Sequence, residues 1–230
     1  SGFRKLARQS DSRQPADPAG EWLLDNFHLL QDHIQEVRDA LPRRFYRELP
    51  ELAHGPLGGH PRVFEIAIAL ISHSEGRIDL DNLDTFVAAF QDVEELTIGE
   101  LWAIPAMLRL GLIENVRRMT LRTIKRLGLV ESADEWAERI RKAARPGSTG
   151  LSELLQEVVS DRKRLDPAFL SRLMSQLRLA SGSSPAVVWL ERWLIEDGLK
   201  PDNIAAQAIH RLAHTQIMMA NSITSLRMIG

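Results

Sequence analysis

At 230 residues, with 44% hydrophobic and 26% charged side chains, the chain has the balance of a soluble globular protein with a real core. A formal net charge of −2, with acids and bases interspersed, excludes a strong overall pull toward nucleic acid or acidic lipid. The absence of cysteine excludes disulfides and thiolate metal sites.

Residues 1–20 are polar, carry Pro15, Pro18 and Gly20, and read as a loose leader in which Ser1 and Gly2 suit a cloning remnant. From Trp22 to about Ala40 an amphipathic helix is expected. Its apolar stripe is Leu23, Phe27, Leu30, Ile34 and Val37. Pro42 ends or bends it, "RRFYRELPEL" gives a short helical turn, and Pro61 opens a helix running to about Ser74. Asp79 or Asp81 caps a helix bearing Leu83, Phe86, Val87 and Phe90. Thr97 and Glu100 form a T-x-x-E capping box. Behind that box the chain is apolar on nearly every side through Ile113, which places this helix at the centre of a bundle. Pro105 should kink it or fall in the first turn of a restarted helix, and Gly128 is a plausible stop.

"ESADEWAERIRKAA" reads as a further helix and "RPGSTG" as a linker. Helices follow near 151–163, 167–180 and 185–197, and a last one carries Ile209, Leu212, Gln216, Met219, Ile223 and Leu226 at near-heptad spacing. That periodicity is still running where "ANSITSLRMIG" stops, which suggests an excised fragment. Strand signals are almost nil. The expected fold is all-α, an orthogonal bundle of about eight to ten helices. The expected domains are a leader at 1–20, an N-terminal bundle at 21–128, a helix and linker at 129–150, and a C-terminal helical subdomain at 151–230. No secretory signal is visible, and the most apolar stretch is interrupted by Glu100 and Arg109, so no membrane span is expected.

Several motifs bear on chemistry. Glu21, Asp25, His28 and Asp32 share one helical stripe, so Asp25 with His28, or His28 with Asp32, supplies two possible metal ligands. No third ligand is marked, and the polar side of an amphipathic helix accounts for them. His210 and His214 lie one turn apart, but Arg211 stands where a zinc hydrolase needs its general-base glutamate. "DLDNLD" lacks the glycine and the final glutamate of a calcium loop, so helix capping explains it better. The basic run Arg117, Arg118, Arg122, Lys125 and Arg126 matches either a phosphate-binding stripe or a solvated helix face. None of these makes an active site.

Taken together, "EWLLDNFHLL", "LPRRFYRELPEL", "HPRVFEIAIALISHSEGRIDL", "LTIGELWAIPAMLRLGLIENVRR" and "NSITSLR" resemble the N-terminal region of cyclic β-1,2-glucan synthases. The match is dense over about 21–118 and returns at about 220–227. The resemblance implies a very large bacterial inner-membrane enzyme that builds cyclic glucan from UDP-glucose, with a divalent metal, through a protein-bound intermediate. It implies a membrane-embedded transferase module and a phosphorylase-like module elsewhere in the polypeptide, with this segment on the cytoplasmic face. The transferase signature Q-x-x-R-W is not matched: the nearest string, "WLERW", has Trp189 in place of Gln. None of the family's catalytic residues can be carried over.

Three readings follow. The first is a non-catalytic scaffold or docking module whose partner is the rest of its own polypeptide, with Trp22, Tyr46, Arg62, Trp102 and Arg109 as docking candidates. Burial in the core is nonetheless the general expectation for Trp22 and Trp102. The second is a module that binds glucan or sugar nucleotide through Trp22, Asp25 and Asn26. The third is a metal-dependent hydrolase built on His28 or on His210 and His214.

Overall fold

The computed structural model describes residues 25–145, 149–161, 165–181 and 184–229. The leader, Trp22 and residues 146–148 of the expected linker lie outside the described residues. Nine helices are present among the described residues: α1 (Phe27–Ala40), α2 (Arg43–Glu48), α3 (Arg62–His73), α4 (Leu80–Gln91), α5 (Ile98–Ala143), α6 (Leu151–Ser160), α7 (Pro167–Ser181), α8 (Pro185–Glu196) and α9 (Pro201–Ile229). Among these residues there is no strand, and the one β-bridge pairs Glu51 with Pro61. The fold is an all-α helical bundle, as the periodicity predicts.

Local chemistry sets the helix starts. The Asp79 carboxylate accepts from the Asn82 N–H at 2.8 Å, while the Asn82 amide oxygen accepts from the Asp79 N–H at 3.1 Å. This reciprocal pair caps α4, so "DLDNLD" begins a helix. Thr97 caps α5 in the same manner, and Ser184 precedes Pro185 at the first position of α8.

The structure corrects two expectations for α5. The helix neither restarts at Pro105 nor stops at Gly128, and is continuous over 46 residues. Proline removes one N–H donor, and the acceptor it abandons belongs to Leu101, on the exposed side of the helix. Gly128 has no left-handed φ, and no atom lies within 4 Å of where its Cβ would be, so it costs helix stability without ending the helix. "ESADEWAERIRKAA" is therefore the end of α5, not a separate helix.

The second correction concerns burial. Residues 106–108 and 111–112 are buried, but the first two turns of α5 expose one side: Ile98 is 76% and Trp102 79% accessible. Apolar residues all round do place the middle of the helix in the core. They do not do so at its start, where only one side meets neighbouring elements.

Two compact units can be distinguished, Ser1–Leu121 with Thr215–Gly230, and Arg122–His214. The first has a core that includes Leu30, Val37, Ile66, Leu70, Met107, Leu112, Met119, Met219, Ile223 and Leu226. Within it α3 and α5 approach closely at Gly111, where a Cβ would sit 2.6 Å from Ile71 Cδ1. The second unit is built on Trp136, Ile140, Leu155, Phe169, Leu173, Leu190 and Leu194, with Trp189 and Trp193 packed against them. Asp134 and Arg172 form a two-point ion pair there at 2.7 and 3.0 Å. Among the described residues no helix is long and apolar enough to cross a membrane.

Candidate functional site

The polar residues of the first unit gather into three clusters, each bridging elements distant in sequence. At the start of α5, Glu100 is fully buried. Arg62 from α3 grips it with two parallel bonds, Nε to Oε1 at 3.0 Å and Nη2 to Oε2 at 2.8 Å. The same carboxylate accepts from the Thr97 N–H at 2.9 Å and the Thr97 hydroxyl at 3.0 Å. Arg62 also donates to the Glu95 carbonyl at 3.2 Å, pairs with Glu94, and lies 5.7 Å from the centre of the Phe90 ring. Burial pushes the Glu100 carboxyl up, but the Arg62 and Thr97 hydrogen bonds and the Arg62 charge outweigh it. They hold the group below the ordinary carboxylate range. Hydrogen bonding to Glu100 raises Arg62 correspondingly.

The second cluster joins α1, α5 and the end of α9. His33 is only 2% exposed, and its Nδ1 lies 3.1 Å from Glu36 Oε2. Its Nε2 is buried with no hydrogen-bond partner. Arg109 Nε lies 3.0 Å from the same Glu36 oxygen, close enough for ion pairing though not aligned as a hydrogen bond. The Arg109 Nη2 donates to the Ile229 carbonyl at 2.5 Å. Nearby in sequence, buried Asn26 accepts from Arg227 through its amide oxygen.

The third cluster explains "NSITSLR". The Ser225 hydroxyl donates to the Gly76 carbonyl at 2.8 Å and accepts from the Ile78 N–H at 2.9 Å. The Ser222 hydroxyl donates to the Met218 carbonyl at 2.7 Å and accepts from the Asn115 amide at 2.8 Å. Asn221 donates to the Glu75 carbonyl at 3.1 Å. The "SEGRID" turn is thus held against α9 through its backbone. Gly76 has φ +80, and a Cβ there would meet Ser222 Oγ at 2.6 Å, so both the backbone and the space call for glycine.

The sequence-predicted site residues fall as follows. Asp25, His28 and Asp32 are exposed, His210 is exposed and His214 half-buried. Among the described residues no group of three or more His, Asp or Glu side chains is placed to hold a metal ion. Asn26 faces Arg227, and Trp22 lies outside the described residues. Tyr46 is half-buried, with its hydroxyl 3.3 Å from His60 Nδ1. Burial, then the Glu51 charge, raises its phenol. Arg62 and Arg109 point at intramolecular partners. In the basic run, Arg117 pairs with Glu114 and Lys125 lies 3.9 Å from Asp166.

Sequence reasoning singled out His28 and passed over His33. The signal was present: His33 lies three residues after Leu30 and four before Val37, both buried. A cavity of about 380 Å³ in the second unit was also missed. It is lined mainly by apolar residues such as Leu170, Met174, Leu194 and Ile204, and its one charged lining residue, Arg178, is 2.7 Å from Glu191. These arrangements hold helices and turns together.

No family model matches the chain. It is 36% identical over 230 residues to the cyclic beta-(1,2)-glucan synthase NdvB of Rhizobium meliloti (strain 1021). That similarity covers 99% of this chain but spans only 8% of the relative's length. The resemblance to cyclic β-1,2-glucan synthases therefore holds along nearly the whole chain, which is similar to one short segment of such a protein.

Proposed function

We propose that this chain is a non-catalytic helical module of a cyclic β-1,2-glucan synthase, acting as a scaffold or docking domain for the transferase part of the same polypeptide. One observation carries the reading. The polar residues in the stretches that resemble the family bond to one another: Asn26 with Arg227, Asn115 with Ser222, and Ser225 with the turn at Gly76 and Ile78. Side chains occupied in this way build a rigid body, and the rigid body is what a scaffold supplies. The parent protein would take UDP-glucose with a divalent metal and act at the cytoplasmic face of a bacterial inner membrane. Those steps belong to modules beyond this segment.

The test uses the whole synthase with this segment deleted and then supplied as a separate chain. Glucan synthesis is expected to fall on deletion with the KM for UDP-glucose unchanged, and to recover in part on addition. Turnover of UDP-glucose by the chain alone would overturn the reading. Titrating linear β-1,2-glucan while following tryptophan fluorescence addresses the glycan-binding alternative, which requires a saturable shift at millimolar ligand.

A further inference from the structure

We infer that the exposed apolar face at the start of α5 docks another part of the glucan synthase polypeptide, one that presents an apolar patch edged by lysine or arginine. This inference rests on the scaffold reading above and assigns it a surface.

The face is defined by helical spacing. Ile98, Leu101, Trp102 and Pro105 recur at three, one and three residues, so they share one side of the first two turns. Ile98 is 76% exposed, Leu101 38% and Trp102 79%, and Val93 just before the helix is 88% exposed. The opposite side of the same turns carries Glu100, Ala103 and Met107, all essentially inaccessible. A few scattered apolar side chains on a surface mean little, but a contiguous stripe centred on tryptophan has the composition of an interface centre. The stripe is also rigidly presented. Arg62, Glu100 and Thr97 lock the helix start from beneath, which lowers the ordering cost of binding.

Charge narrows the occupant. Asp92 and Glu95 are exposed on either side of the Val93–Glu94 pair, so the chain leading into the helix is acidic there, while the Glu94 carboxylate is engaged by Arg62. An acidic rim favours a basic-edged partner and steers it to this patch. It disfavours an anionic lipid surface, which attracts basic segments, and it sets like charges against each other when two copies meet through this face. The chain spans 8% of the length of the related synthase, so nearly all of such a polypeptide lies outside it. A partner surface on the same polypeptide acts at high effective concentration and needs only modest intrinsic affinity.

The test places a photo-crosslinking phenylalanine analogue at position 102 of the full synthase, with the same analogue at Ile195 as control. Ile195 is 65% exposed and lies on α8, in the other unit. The expected result is a cross-linked peptide from the same polypeptide outside this chain, bearing Lys or Arg. Its yield should fall about tenfold when Asp92→Lys and Glu95→Lys are combined. Capture of lipid, glucan, a second copy, a separate protein or residues within this chain would overturn the inference, as would a yield no greater than the control. If position 102 captures nothing on the polypeptide while deleting the segment still lowers synthesis, docking at this face fails and the scaffold reading stands. If deletion leaves synthesis unchanged, the scaffold reading is the one that fails.

Discussion

Replacing Arg62 by methionine isolates the contact on which the start of α5 depends. The substitution keeps much of the aliphatic length but removes both charge-assisted bonds to a fully buried carboxylate. Hydrogen bonds to charged groups contribute roughly 1.5–3 kcal/mol each, and breaking a buried ion pair from one side costs about 3–5 kcal/mol. Two Thr97 donors remain on Glu100, so the expected loss lies near the lower end, about 3 kcal/mol. Arg62→Lys should lose about half as much, because a point charge cannot make the two-point grip. The double change Arg62→Met with Glu100→Leu should recover most of the loss, since it leaves no charge buried alone, and exposed Thr97 can turn to water.

Hydrogen exchange read by mass spectrometry on peptides from α3 and the first turns of α5 gives the local stability directly. A loss below about 1 kcal/mol for Arg62→Met would refute the reasoning, because a pair contributing so little behaves as an exposed one. The pH dependence adds a second readout. Glu100 titrates below its unfolded value, so its contribution is complete above the unfolded carboxylate range and is lost as pH falls through the folded value. Glu100→Gln should therefore flatten part of the acid-side decline and leave the neutral-to-alkaline slope unaltered.

Gly76→Ala should destabilise the first unit by about 2–4 kcal/mol, from left-handed strain plus the contact with Ser222, as read by thermal melting. Adding Ser222→Ala should relieve only the steric part. Gly128→Ala should stabilise the second unit by about 1 kcal/mol in denaturant unfolding, whereas a destabilisation would mean that α5 breaks there after all. Trp102→Ala should shift stability by no more than about 0.5 kcal/mol, since the ring is largely exposed, and a larger drop in melting temperature would place it in a core.

How much was legible in the sequence depended on how local the cause was. Thr97 with Glu100 acts over three residues, so spacing alone reveals the pair, whereas at α4 the sequence offered Asp79 or Asp81 as the cap and left the partner Asn82 unread. The ends of α7 and α8 were similarly readable from Ser-Pro and Gly punctuation, whereas α6 stops at Ser160, before the Asp-Pro that was expected to bound it. Arg62 reaches Glu100 across 38 positions and Ser225 reaches Ile78 across 147, and no periodicity carries that information. Nor can hydrophobicity distinguish the inner from the outer side of α5 at its start. Trp102 and Met107 are both apolar, and only the placement of α3 and the neighbouring elements leaves one exposed and the other inaccessible.

That distinction bears on what a resemblance transfers. The residues that carry the likeness include Gly76, where a side chain does not fit, and Ser222 and Ser225, whose hydroxyls each donate and accept once. Few residue types satisfy such positions: a larger side chain collides, and an apolar one strands a backbone group in the interior. The choice of residue at these sites therefore follows from holding the turn against α9, whatever the module does. The likeness conveys architecture first, and function has to be sought where the fold leaves residue choice open. Among the described residues of the first unit, Trp102 is a large aromatic side chain that the fold leaves 79% exposed. An exposed tryptophan at such a place is the feature that packing leaves unexplained, and contact with another surface would explain it.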